Sequence, residues 1–115
     1  MSDIKTLTEK IKKFRDERDW MQFHNSKDMA ISLSLEAAEV LEHFQWKSPD
    51  EMDVYVKTHR DEIGDELADV AKYLFEIADN LGVDLAQTIE KKMAKDAKHY
   101  PIEKSRGRHT KYTKL

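Results

Sequence analysis

The chain has 115 residues and a net charge of −3, with 37% charged and 39% hydrophobic residues, three Gly, two Pro and no Cys. That length fits one domain with a real core, and the composition is that of a soluble helical protein rather than a β-rich or disordered one. A disulfide framework and a thiolate metal site are excluded, as is a membrane-spanning helix, because the apolar runs are far too short.

The N-terminal stretch, MSDIKTLTEK, has no apolar signal region, so the expected compartment is the cytoplasm. Charge is unevenly spread. Residues 91–115 hold nine Lys or Arg against two acids, which leaves an acidic body and a basic C-terminal quarter. That quarter reads either as a solvated tail or as an anion-binding segment.

The first helix is expected from about Asp3 to Asp19, where Ile4, Leu7, Ile11 and Phe14 recur at helical spacing. Gln22 to Ser26 reads as a loop, with Asn25 or Ser26 capping a second helix and Asp28 favoured in its first turn. That second helix, centred on Met29 to Trp46, is apolar on almost every side, the pattern of a buried helix. Ser48, Pro49 and Glu51 then form a start signal for a short helix over about Pro49 to Val56. A break is expected near Lys57, with Thr58 and Asp61 as a further cap. The third long helix runs from about Arg60 to Asn80 and stops at Gly82. Asp84 and Gln87 open the fourth, which ends before Pro101. From Pro101 onward the chain is polar and basic, without helical period. Short connections between long amphipathic helices predict an all-α antiparallel bundle of four main helices plus a short one.

The chemistry sits in two acidic pairs. Glu36 and Glu39 interrupt the apolar second helix at i and i+3, one side of the helix. Glu66 and Asp69 do the same in the third, flanked by Leu67, Ala68 and Val70. Spacing alone does not single them out, since seven such acidic pairs occur and chance gives about four or five. Their apolar context does, because carboxylates are rarely buried unless paired or metal-bound. If helices two and three pack side by side, the pairs face each other. Four carboxylates without Cys suit a hard cation, Mg²⁺ or Mn²⁺. A di-iron bundle would need two Glu-x-x-His motifs, and none is present. Trp20 and Trp46 read either as edge-of-core aromatics or as a stacking surface for a flat ligand, and Tyr73 fits either role.

The segments ERDWMQFH, LSLEAAEVLEHFQWKS, DELADVAKYL, GVDLAQTIEKKMAK, HYPIEKSRGR and KYTKL resemble, in this order, the MazG-like all-α nucleotide pyrophosphohydrolases, most closely their dCTP pyrophosphatase branch. The resemblance implies a Mg²⁺-dependent enzyme that hydrolyses a (deoxy)nucleoside triphosphate, dCTP-like by preference, to the monophosphate and pyrophosphate. The family's Glu-x-x-Glu and Glu-x-x-Asp metal motif falls on Glu36, Glu39, Glu66 and Asp69. Trp20, Trp46 and Tyr73, with His24 nearby, would surround the nucleotide, and Lys92 and Lys95 would help hold phosphates. Asp96 stands where the branch often has Asn. The resemblance further implies a homotetramer built as a dimer of dimers. The expected organisation is a helical catalytic domain over residues 1–100 and a basic tail over 101–115. Neither nucleic acid nor a membrane is an expected partner. The alternative is a non-enzymatic helical interaction module with a basic docking tail.

Overall fold

The computed structural model describes residues 3–115; Met1 and Ser2, which open the stretch read for an export signal, lie outside the described residues. The chain is all-α, as expected. α1 spans Ile4–Glu17, α2 Ser26–Glu42, α3 Pro49–Thr58, α4 Arg60–Asn80, α5 Leu85–His99 and the short α6 Ile102–Ser105. Two compact units divide the chain, one ending at Gly82 and the other starting at Val83. No described helix is long and apolar enough to cross a membrane.

Local chemistry explains the starts and stops. Asp3 caps α1 by accepting from the Thr6 N–H, and Asn25 caps α2 by accepting from Asp28. Ser48 and Glu51 form a reciprocal capping box at α3, with Pro49 in the first turn. Asp84 caps α5 through the Gln87 N–H. α1 closes with Asp19 in the left-handed region at φ 54°. The Trp20 N–H returns to the Arg15 carbonyl and the Asp19 N–H to the Asp16 carbonyl, the paired bonds of a Schellman stop. Gly82, at φ 71°, takes the same conformation after α4 at no steric cost.

Several expectations are corrected. Residues Met21–Phe23 form a 3₁₀ turn rather than open loop. α2 ends at Glu42, not near Trp46: the Phe44 and Gln45 N–H groups both return to the Leu41 carbonyl, and Trp46 adopts φ 69°. α3 continues to Thr58, and the Thr58 hydroxyl donates to the Tyr55 carbonyl instead of capping α4. After Pro101 the chain is not free of helix, since α6 and a final 3₁₀ turn at Tyr112–Lys114 follow.

In the first unit α4 is the central helix. Its most extensive contact is with α2, followed by α1. The buried apolar core is small: Met29 of α2 with Ile63 and Ala78 of α4. The expectation that α2 is buried all round therefore fails within one chain, where α4 is its most extensive contact. Ile31, Leu35 and Leu41 stay exposed, Leu35 to 60%.

Met29, 1% exposed, is the best-buried side chain. Met29→Ala should cost about 2–5 kcal/mol, read as a lower urea midpoint at unchanged slope.

Candidate active site

The α2–α4 contact brings the two acidic pairs together. Glu36 is half-buried, and its carboxyl is pushed above the ordinary carboxylate range. Burial is the largest cause, followed by the Glu39 carboxylate within hydrogen-bonding reach, and then by the charges of Glu39, Asp69 and Glu66. Glu66 and Asp69 are half-buried, while Glu39 alone of the four is exposed. Asp69 has one loose cation, Lys72 Nζ at 3.8 Å.

Two buried oxygens in this cluster, Glu36 Oε2 and Glu66 Oε2, have no hydrogen-bond partner. Native proteins rarely leave such atoms orphaned, and an unplaced ion is one of the few explanations. An all-oxygen donor set fits a hard divalent cation. Among the described residues no group of three or more His, Asp or Glu forms a closed metal-binding arrangement. The carboxylates thus repel across the helix contact without being drawn onto one point.

His43 is the neighbour that sequence reasoning missed. Its Nε2 stands 2.5 Å from Glu66 Oε2, though out of line for a hydrogen bond. Its Nδ1 lies 2.6 Å from the Tyr55 hydroxyl on α3. Tyr55 is stacked on His59, with ring centroids 3.9 Å apart, and Lys47 lies 4.2 Å above its ring. A ring held in this way orients the carboxylate beside it, as the outer shell of a metal site does. One signal was available: His43 lies seven residues after Glu36 and four after Glu39, on the same stripe of the helix. Tyr55 gave none, since only the packing of α3 brings it close.

The expected nucleotide-contacting residues divide. Trp20, His24 and Tyr73 line one cavity, together with Phe14, Arg15 and Glu76. Trp20 folds back on α1, with its ring 5.9 Å from that of Phe14 in an edge-to-face contact. Trp46 is not in this cavity; it is 91% exposed, on a backbone conformation that bulky residues rarely adopt. In the second unit, Lys92 of α5 pairs with Asp96 one turn on, so part of its charge is already matched. Lys95 is exposed.

Residues 31–115 match the MazG-like family. The chain is 39% identical to dCTP pyrophosphatase 1 of Mus musculus over 104 residues, which covers 89% of this chain and 61% of that protein. The dCTP pyrophosphatase 1 of Homo sapiens is 36% identical with the same coverage. The chain thus spans about six tenths of the length of these curated relatives. The crystal structure of a pyrophosphatase from Archaeoglobus fulgidus superposes with a TM-score of 0.82 at 34% identity, covering 88% of this chain and 94% of the other.

Because Glu36 resists ionisation in the fold, its charge costs stability at neutral pH. Glu36→Gln should raise the melting temperature by a few degrees in buffer with a metal chelator. A carboxyl with a raised folded pKa gives its full stability only under acid and loses it as pH rises through that pKa. The advantage of the variant should therefore shrink as the pH is lowered, which melting curves at neutral and acid pH will show.

Proposed function

The chain belongs to the MazG-like family, and on that premise we propose that it is a nucleotide pyrophosphohydrolase. It hydrolyses a (deoxy)nucleoside triphosphate, dCTP-like by preference, to the monophosphate and pyrophosphate. The observation that carries this reading is the clustering of Glu36 and Glu39 with Glu66 and Asp69, with the buried Glu36 Oε2 unpartnered. The naming of similar proteins as pyrophosphatases supports the reaction class.

In this reading Glu36, Glu39, Glu66 and Asp69 hold Mg²⁺, with Mn²⁺ as a substitute. Bound there, the cation would neutralise the triphosphate and acidify a water. The protein's own part is then to fix the carboxylates and to take a proton. His43 holds the Glu66 side chain in place from the α2 side. We assign the proton of the attacking water to Glu39, and its exposure, unlike that of the other three, supports the choice. The water oxygen bonds to the α-phosphorus, and the bond from that phosphorus to the bridging oxygen breaks. The leaving pyrophosphate carries the electron pair away, with Lys92 and Lys95 as the proposed phosphate-binding lysines. Trp20, His24 and Tyr73 take the base.

Glu39→Gln should lower kcat by about 10²–10⁴-fold while the fold persists by circular dichroism. Undiminished turnover would remove Glu39 from the chemistry, and release of orthophosphate in place of pyrophosphate would overturn the reaction class. Mg²⁺ should also raise the melting temperature of the wild-type chain, as any ligand of the native state does. Absence of that shift favours the alternative reading as an interaction module.

The exposed apolar side of α2 and the separation of Trp46 from the cavity of Trp20 support a second proposal. Copies of this chain associate, as the tetramer implied by the family resemblance requires, and Trp46 completes a site in a neighbour. Closed symmetry would repeat that shared site in every protomer. A Glu36→Gln chain and a Trp46→Ala chain, each inactive alone, should regain activity when their subunits exchange. Confirmed exchange without recovery places both residues in one subunit.

A further inference from the structure

His43 enters the acidic cluster from the end of α2. It caps that helix with backbone angles that are still helical, φ −67° and ψ −25°, so its ring stays on the stripe that carries Glu36 and Glu39. The side chain is 11% exposed. Its buried Nε2 meets Glu66 Oε2 of α4 at 2.5 Å, out of line for a hydrogen bond, and neither atom has another hydrogen-bond partner. A nitrogen thus stands among the carboxylates where the two acidic pairs face each other.

The other ring nitrogen is already engaged. Nδ1 lies 2.6 Å from the Tyr55 hydroxyl, and the Tyr55 ring is itself stacked on His59. A histidine that binds a metal through one nitrogen almost always has the second nitrogen fixed in this way. Two atoms that both offer lone pairs repel at close range unless a positive centre attracts both. Nε2 and Oε2 stand side by side rather than end to end, which is the relation of two donors to a shared cation and not that of a donor to an acceptor.

We infer that His43 Nε2 is a nitrogen ligand of the divalent cation that the four carboxylates hold, so that the site favours a first-row transition ion over Mg²⁺. The inference rests on the proposed reading of those carboxylates as a metal site, and it changes the donor set from all-oxygen to mixed. Mg²⁺ is a hard ion that takes oxygen donors, whereas imidazole suits the transition ions. A ring that only steadied Glu66 would instead serve every cation alike.

Pulsed electron paramagnetic resonance of the untagged, nucleotide-free chain loaded with Mn²⁺ alone reads the ligand directly. The wild type should show the hyperfine coupling of a directly bound ¹⁴N, and labelling with ¹⁵N-histidine should convert it to a ¹⁵N coupling. In the first unit His24 lies against Glu76 and His59 against Tyr55, which leaves His43 as the histidine at the cluster. His43→Gln should still bind Mn²⁺ but lose the coupling. Its amide can donate to Glu66, as a positioning ring would, but has no ring nitrogen to offer a metal.

Calorimetry of Mn²⁺ and Mg²⁺ binding gives the second readout. Removing a ligand should weaken Mn²⁺ by at least as much as removing an outer-shell partner does, about 10–100-fold, and weaken Mg²⁺ less. Equal weakening of both, or rescue of both by Gln, makes His43 a positioning residue and overturns the inference. Mn²⁺ bound without a histidine coupling overturns it too, and leaves the carboxylate site standing. A coupling that survives in His43→Gln belongs to another histidine and is equally fatal. A chain that binds neither cation overturns the carboxylate site together with this ligand. Should His43→Gln fail to fold, the ¹⁵N-histidine label on the wild type decides alone: conversion of the coupling supports the inference, and its absence overturns it.

Discussion

Like charges held together across a helix contact are the central constraint on this molecule. Where α2 meets α4, Glu36 lies within the field of Glu39, Asp69 and Glu66, and its buried Oε2 has no hydrogen-bond partner. Such an arrangement lowers stability in the protein alone and persists only if surrounding packing over-determines it. That packing is visible. Met29, Ile63 and Ala78 close the small core along the same two helices. His43, fixed by Tyr55, presses against Glu66 from the side. The stored repulsion has the sign that a bound divalent cation would relieve, which links the stability cost to the proposed chemistry.

What was legible in the sequence follows the range of the interactions. Caps and stops depend on residues three or four apart, so Asn25, Ser48, Asp84 and Gly82 could be read directly. The end of α2 could not, because nothing apolar in HisPheGlnTrp announces that the backbone turns left-handed at Trp46. The acidic pairs stood out by context, since a carboxylate in an apolar helix is anomalous whatever the fold. The Arg15–Glu76–His24 group was not read, although Glu76, between Phe75 and Ile77, carries the same signal. Arg15 sits among other charged residues, and His24 and Glu76 are 52 positions apart. Only the packing of α1 on α4 turns these three residues into a buried network.

The most informative misreading concerns α2. Its sequence is that of a helix apolar on nearly all sides, yet one chain buries chiefly the side that meets α4. Leu35 at 60% and Leu41 at 55% exposure, with Leu67 of α4 at 53%, leave large apolar side chains turned outward on these two helices. The pattern reads correctly if its solvent is taken to be protein. A buried-helix sequence on an exposed helix is the surface that the proposed association of copies would cover.

α4 joins the parts. Glu66, Asp69, Tyr73 and Glu76 follow one another at helical spacing along one side of a single helix. The first two face the acidic pair of α2, and the last two line the cavity that holds Trp20 and His24. At about 1.5 Å per residue, Asp69 and Tyr73 are separated by roughly 6 Å along the axis. A hydrogen-bonded helix does not stretch, so the distance from the carboxylates to the aromatic cavity is set by the backbone rather than by loops. In the proposed reading the same helix then measures the reach from the reacting phosphate to the base. On that reading the reaction and the choice of base are coupled by a rigid element. Glu66 and Asp69 would bear on turnover, while Glu76, two turns further on, is buried beside His24 in the cavity proposed for the base.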